Sequence, residues 1–343
     1  MAQLVAGSRS LATLCRSLKQ EGSTVHLNEL VGGALSFYAA GAVARLEGVH
    51  IFVADDRDAA AYLMNDLYNL LDEQYIYFFP SSYKRSAAYG AEDPQGVVQR
   101  TAALTALTNF DGKGYRILCT YPEALAERVT EERALEESTL KVRVGDVISI
   151  EVLEEALVEA GFTRVDFVYE PGQYAVRGGL VDLFSYAENK PYRIDFFGDE
   201  VDRICKINVV TGEVVADMSH VAIYPASHYE ISSQLSTDRL ERISIVPDLK
   251  RRAGGGSRVS LAHFVGREAT WWFYDADQIL RKVNEIRRRT LTDLEDPSQI
   301  DRLLTSRVGL TTDLELARVV MLRDNLPERK PSSVIAFSTL PQP

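Results

Sequence analysis

A chain of 343 residues exceeds what one hydrophobic core ordinarily supports, so two or three domains are expected. Apolar residues at 46% and charged residues at 25% give a soluble globular profile, and no stretch approaches the ~20 apolar residues of a membrane span. The net charge of −11 argues against autonomous tight binding to nucleic-acid phosphates, which clustered Lys and Arg drive.

Met1 to Lys19 carries Arg9, Arg16 and Lys19 spread through it rather than a basic start before an apolar run, so no signal peptide is read there. The three cysteines, Cys15, Cys119 and Cys205, are far apart and odd in number, which argues against a disulfide framework and for the cytoplasm. The five histidines form neither H-x-x-H nor H-E-x-x-H, so no metal and no cofactor is expected. Two basic clusters, Lys250-Arg251-Arg252 and Arg287-Arg288-Arg289, read either as solvated surface or as phosphate contacts.

In chain order, Thr24 to Asn28 reads as a strand, Gly32-Gly33 as a break and Ala34 to Leu46 as a helix. Val49 to Ala54 is a nearly continuous apolar run, the pattern of a buried parallel strand. Asp55-Asp56 can cap a helix from Arg57 to about Leu71, and Ile76 to Phe79 is a strand stopped by Pro80. Ser81 to Asp93 reads as a loop, Pro94 to Thr108 as a helix, Tyr115 to Thr120 as a buried strand and the residues after Pro122 as a helix. This rhythm predicts an α/β domain with an open, mostly parallel sheet over residues 1–135.

The pattern changes near residue 136. Leu140 to Val144 alternates with period 2, Ile150 to Ala160 suits a helix and Gly161 stops it. Tyr192 to Phe197 and Glu200 to Val209 flank Gly198-Asp199, a two-residue hairpin signal of type II′, and Thr211-Gly212 marks a further turn. Residues 136–218 are therefore expected to form a small inserted α+β domain, with 219–343 returning to complete the first. In that return, Val221 to Tyr224 reads as a strand, Gly254-Gly255-Gly256 as a loop, Thr270 to Tyr274 as a strand and Ala276 to Arg289 as a helix. Residues 297–325 read as helical with a break near Gly309, and Val334 to Phe337 as a strand. Pro343 follows with no polar tail, so the chain is expected to be part of a longer protein.

The first strand-loop-helix, Glu29-Leu30-Val31-Gly32-Gly33-Ala34-Leu35-Ser36, has the context of a P-loop without its Lys. Gly32, Gly33 and Ser36 then form a degenerate nucleotide site or a plain βα turn. After Trp271-Trp272-Phe273-Tyr274, Asp275-Ala276-Asp277 lacks the Asp-Glu pair of an ATPase strand, and Asp275 or Asp277 reads as a helix N-cap.

The most specific stretch is Glu170-Pro171-Gly172-Gln173-Tyr174-Ala175-Val176-Arg177-Gly178-Gly179-Leu180-Val181-Asp182-Leu183-Phe184, followed by Arg193-Ile194-Asp195-Phe196-Phe197-Gly198-Asp199-Glu200-Val201. It resembles the small domain shared by UvrB and the transcription-repair coupling factor Mfd. The missing P-loop Lys and the lack of an extended aromatic hairpin in the first segment make the resemblance closer to the UvrB-like N-terminal region of Mfd. That resemblance implies a parallel-sheet, degenerate P-loop NTPase-like domain carrying a UvrA-docking insert, without ATPase activity of its own. It implies that UvrA docks on Arg177 and Phe184, with Arg164 as a further contact. RNA polymerase and DNA would be met by parts of the parent beyond Pro343, which would be an ATP-dependent translocase.

Residue physics alone leaves Phe184 open. With Val181 and Leu183 facing the core, Phe184 points outward as a docking anchor. A bulge at Gly178-Gly179 would bring Arg177 beside it. The alternative is that Phe184 caps the core while Arg177 pairs with Asp182 or Asp195. Two other functions compete with a silent docking module: an active UvrB-type helicase subunit, and a nucleotide-independent DNA clamp using Arg287 to Arg289.

Overall fold

A computed structural model describes residues 8–28, 30, 33–82, 93–131, 139–188, 190–224, 258–293, 300–322 and 331–336. Contacts divide the chain into two compact units, Met1–Val129 with Arg258–Pro343, and Thr130–Ser257.

The first unit opens with α1 (Arg9–Ser17), β1 (Thr24–Asn28), α2 (Ala34–Leu46), β2 (Gly48–Val53) and α3 (Arg57–Tyr68). Next come β3 (Ile76–Phe78), α4 (Pro94–Thr108), β4 (Tyr115–Thr120), α5 (Pro122–Ala126) and β5 (Val129–Thr130). Local chemistry sets these boundaries. Asp56 accepts the Ala59 N–H at 2.9 Å and starts α3, while Pro94 and Pro122 stand in the first turns of α4 and α5.

The second unit holds β6 (Leu140–Arg143), α6 (Ile150–Glu159), β7 (Thr163–Arg164), β8 (Gln173–Arg177), β9 (Leu180–Leu183), β10 (Tyr192–Phe197), β11 (Glu200–Ile207), β12 (Val214–Met218) and β13 (His220–Ile223). The chain then re-enters the first unit with β14 (Arg258–Val259), α7 (Leu261–Val265), β15 (Thr270–Phe273), α8 (Ala276–Asp293), α9 (Ile300–Leu303), α10 (Arg307–Asp313), β16 (Arg318–Met321) and β17 (Ser333–Ala336).

Seven strands of the first unit form one sheet in the order β17-β1-β16-β15-β2-β4-β3, with every pairing parallel. The continuous apolar runs are explained by burial on both faces. On one face Val25, Phe52, Ile117, Trp272 and Val320 pack with Leu11 and Leu14 of α1 and Ala39 and Val43 of α2. The alternate residues Trp271, Phe273, Val319 and Met321 point to the other face and are equally buried.

One expectation fails in part. Within residues 297–325, α9 and α10 are helical as read, but Arg318–Met321 is β16, seated between β1 and β15. Four residues are too few for periodicity to separate a buried strand from a helical turn, and the three apolar ones are fully buried. Gly309 lies inside α10, its N–H held by Ser306 Oγ at 3.0 Å.

In the second unit six strands run β12-β11-β10-β9-β8-β7, antiparallel except for the parallel β7–β8 edge. One face is closed by α6 (Leu153, Ala156, Leu157) and by the β6–β13 pair (Leu140, Val142, Val221, Ile223) against Tyr174, Val181, Leu183, Ile194 and Ile204. Thus β13, read as a strand leading back to the first unit, pairs with β6 inside the second. Gly198-Asp199 makes the expected two-residue turn between Phe197 and Glu200, with Gly198 at φ 64°.

Gly178-Gly179 is likewise a two-residue hairpin turn, between paired Arg177 and Leu180, and not a bulge in one strand. Gly178 takes φ 59°, which a β-carbon would disfavour. The consequence for the site is direct. A turn folds β8 back onto β9, so Arg177, Ala175, Asp182 and Phe184 share one face through cross-strand pairing.

Candidate functional site

That shared face lies opposite the core of the second unit. Its centre is Asp182, only 4% exposed. A buried carboxylate needs partners, and Asp182 has two guanidinium groups. Arg193 on β10 grips it in a fork, Nε to Oδ1 at 2.7 Å and Nη2 to Oδ2 at 2.9 Å. Arg177 on β8 donates through Nη2 to Oδ2 from the other side. Asp182 holds the Arg193 cation charged, pushing its pKa up chiefly through the side-chain hydrogen bond. Further across the face, Arg203 pairs with Asp217 at 2.6 Å.

Phe184 is not the expected outward anchor. It is 6% exposed, packed with Val168 and Ala175, and flanked by Val165 and Val209. The face on which Phe184 points away from the core is itself covered. The segment after β7 lies over it, with Val165 and Val168 turned inward. The Val165 N–H bonds the Tyr174 carbonyl at 2.9 Å, and Gln173 Oε1 accepts the N–H groups of Tyr169 and Glu170 at 2.9 and 3.1 Å. The residues between the inward valines and beyond them are left outside: Phe167 is 57% and Tyr169 62% exposed. The Arg177 guanidinium stands over the Phe167 ring, 5.2 Å from its centroid. The sequence pattern missed this aromatic pair. The alternation Val165, Phe167, Val168, Tyr169 is irregular, and only knowing what it covers shows which side is wet.

Arg164 is not brought together with Arg177. It pairs with Tyr174 across the β7–β8 edge, hence on the core side of the sheet, where it meets Glu154 of α6 at 3.1 Å. Its side chain is 60% exposed.

Of the candidate nucleotide residues, Gly32 lies outside the described residues, as do Lys250 to Arg252 and Gly254 to Gly256. Gly33 is the N-cap position of α2, at φ −67°. Ser36 is buried, and its hydroxyl donates to Asp66 Oδ2 of α3 at 2.8 Å. Asp275 caps α8, accepting the Gln278 N–H at 2.9 Å. The ends of β2 and β15 thus present Asp55, Asp56 and Asp275, and the nearby Lys282 donates to the Asp55 carbonyl at 2.6 Å. In the basic cluster, Arg287 is engaged internally, with the Leu304 carbonyl at 2.8 Å and with Asp301, and Arg289 pairs with Glu285. Among the described residues no group of His, Cys, Asp and Glu could hold a metal ion, and no helix is long and apolar enough to cross a membrane.

A mostly antiparallel sheet with one charged face, inserted into a seven-stranded parallel α/β unit, defines a two-unit α/β protein on an NTPase-like frame. The comparisons agree with that class: residues 140–229 match the UvrB interaction domain, and the chain carries a UvrB-like region. Similar curated proteins are the UvrABC system protein B of Caldanaerobacter subterraneus, 31% identical over 243 residues, and that of Carboxydothermus hydrogenoformans, 26% identical over 306. These alignments cover 65% and 83% of this chain, but 35% and 40% of the relatives. The Streptococcus suis protein of the same name is 40% identical over 94 residues, 27% of this chain and 14% of that protein. The chain therefore spans little more than a third of the length of the curated relatives it matches most widely.

Proposed function

We propose that this chain is the UvrA-docking module of a nucleotide excision repair protein of the Mfd type, and that it does not hydrolyse ATP. The observation that carries the reading is the UvrB interaction domain at residues 140–229, whose sheet face away from the core holds Arg177 on a buried aspartate. The nucleotide half rests on residue chemistry. No Lys follows Gly32-Gly33, and the Ser36 hydroxyl that would hold Mg²⁺ in a P-loop is turned to Asp66. In this reading Asp275 serves its helix, and polymerase and DNA are contacted by parts of the parent outside this chain.

One observation favours a second reading: the similar curated proteins are named UvrABC system protein B. An active UvrB-type subunit would turn over ATP. The test is paired. The purified chain is expected to bind purified UvrA in titration calorimetry, and to release no phosphate from Mg-ATP above a protein-free control. Absence of UvrA binding sinks the first reading. Hydrolysis lost on Asp275→Ala would establish the second.

A further inference from the structure

The docking face has an anchor that the motif does not contain. Arg177 is bound on one side by Asp182 and lies over Phe167 on the other, so its planar head is fixed in two directions. Asp182, itself buried, accepts two N–H groups of Arg193 and one of Arg177. Among the described residues, the remaining Arg177 donors, Nε and Nη1, have no hydrogen-bond partner. The side chain is 39% exposed. A held guanidinium with free donors, beside a Phe that is 57% exposed, fits a carboxylate set next to an apolar group. Tyr169, 62% exposed and two residues on, extends the aromatic side of the patch.

Resting on the docking function proposed above, we infer that Phe167, stacked on Arg177, is the aromatic anchor for UvrA. UvrA would place an Asp or Glu on the Arg177 donors, with an apolar side chain against the Phe167 ring. The role that the resemblance implies for Phe184 passes to the loop that covers it. Phe184 acts through that loop, by supporting Val168, and so is a positioning residue.

The experiment measures UvrA affinity by calorimetry for the full chain and for Phe167→Ala, Arg177→Ala and the double variant, each with a melting curve. Phe167→Ala is expected to weaken binding about tenfold without moving the melt, because the ring is already more than half in water. The double variant is expected to lose less than the product of the single losses, because the two side chains act as one stack. Phe167→Tyr, which keeps the ring, is expected to restore affinity to within twofold of the parent. Binding by the Phe167→Ala chain within twofold of the parent overturns the inference alone. No binding by the parent overturns the docking function, and this inference with it.

Discussion

Asp182 and Arg177 are bonded to each other, yet losing either has a different price. Asp182 is buried and neutralises two cations, so Asp182→Asn leaves Arg193 held against a group that no longer compensates it. Breaking a buried pair this way costs about 3 kcal/mol, reduced here to about 2 because the arginines keep some water. Arg177→Ala leaves the Asp182–Arg193 fork intact and removes a side chain that is 39% exposed, so its cost stays under about 1 kcal/mol. Urea unfolding of both variants checks the order, and equal losses would refute it. The asymmetry was not legible in the sequence, where Asp182 and Asp195 were equal candidates for Arg177. Pairing across two strands settled the choice, and sequence spacing does not encode which strand lies beside which.

A second residue-scale consequence follows from His50. It lies on β2 and is fully buried beside β15, where Trp272 Nε1 donates to its Nδ1 at 3.2 Å. An indole N–H only donates, so the proton sits on Nε2, which bonds the Glu47 carbonyl at 2.9 Å. Burial, aided by Arg318 and opposed by the Glu47 bond, pushes the pKa down to about 4. Above pH 6.5 both folded and unfolded chains hold the ring neutral, and the site adds no pH dependence. Between 6.5 and 4 the unfolded chain takes the proton first, so stability falls as pH falls, by up to about 3 kcal/mol. The urea midpoint of the first unit should therefore drop across this window more steeply than in His50→Gln. Parallel curves would show that His50 does not titrate as described.

At the scale of elements, glycines show where sequence was informative and where it was not. Gly178 and Gly198 each start a two-residue hairpin turn at positive φ, but the sequence marks only Gly198 as one, because Gly198-Asp199 stands between two strand-like runs. Around Gly178 the flanks are Arg177 and Leu180, and the strand continuity of the motif suggested a bulge. Gly172 is a third case. It takes φ 83°, and a β-carbon there would lie 2.5 Å from the Tyr186 ring. That ring cannot retreat freely, since its hydroxyl donates to the Gly161 carbonyl at 2.8 Å and it packs edge-on against Phe162. Gly172→Ala is expected to cost about 3 kcal/mol, from backbone strain and displaced Tyr186 together. Gly178→Ala meets open space and should cost only about 1 kcal/mol. Thermal melts of the two variants that moved equally would mean the Tyr186 contact carries no energy. The central parallel strand β2 is readable from a nearly continuous apolar run, interrupted only by His50. By contrast, β16 is short enough that its environment, and not its composition, makes it a strand.

At the scale of the whole molecule, each unit has its own core, one centred on the parallel sheet and one between α6 and the antiparallel sheet. The expected inserted domain, 136–218, is shorter than the contact-defined unit of 130–257. Separate cores predict separate unfolding, and this chain carries a natural reporter for it. Its two tryptophans, Trp271 and Trp272, are neighbours on β15, and both are buried in the first unit. Tryptophan emission therefore follows the first unit alone, whereas far-ultraviolet circular dichroism follows both. Leu183→Ala removes a fully buried side chain from the second core, a loss of about 2–5 kcal/mol by cavity formation. It should move a dichroism transition to lower temperature and leave the emission transition where it was. Val319→Ala, in the first core, should do the reverse. Emission that shifts with Leu183→Ala as far as dichroism does would mean that the two units unfold as one cooperative body.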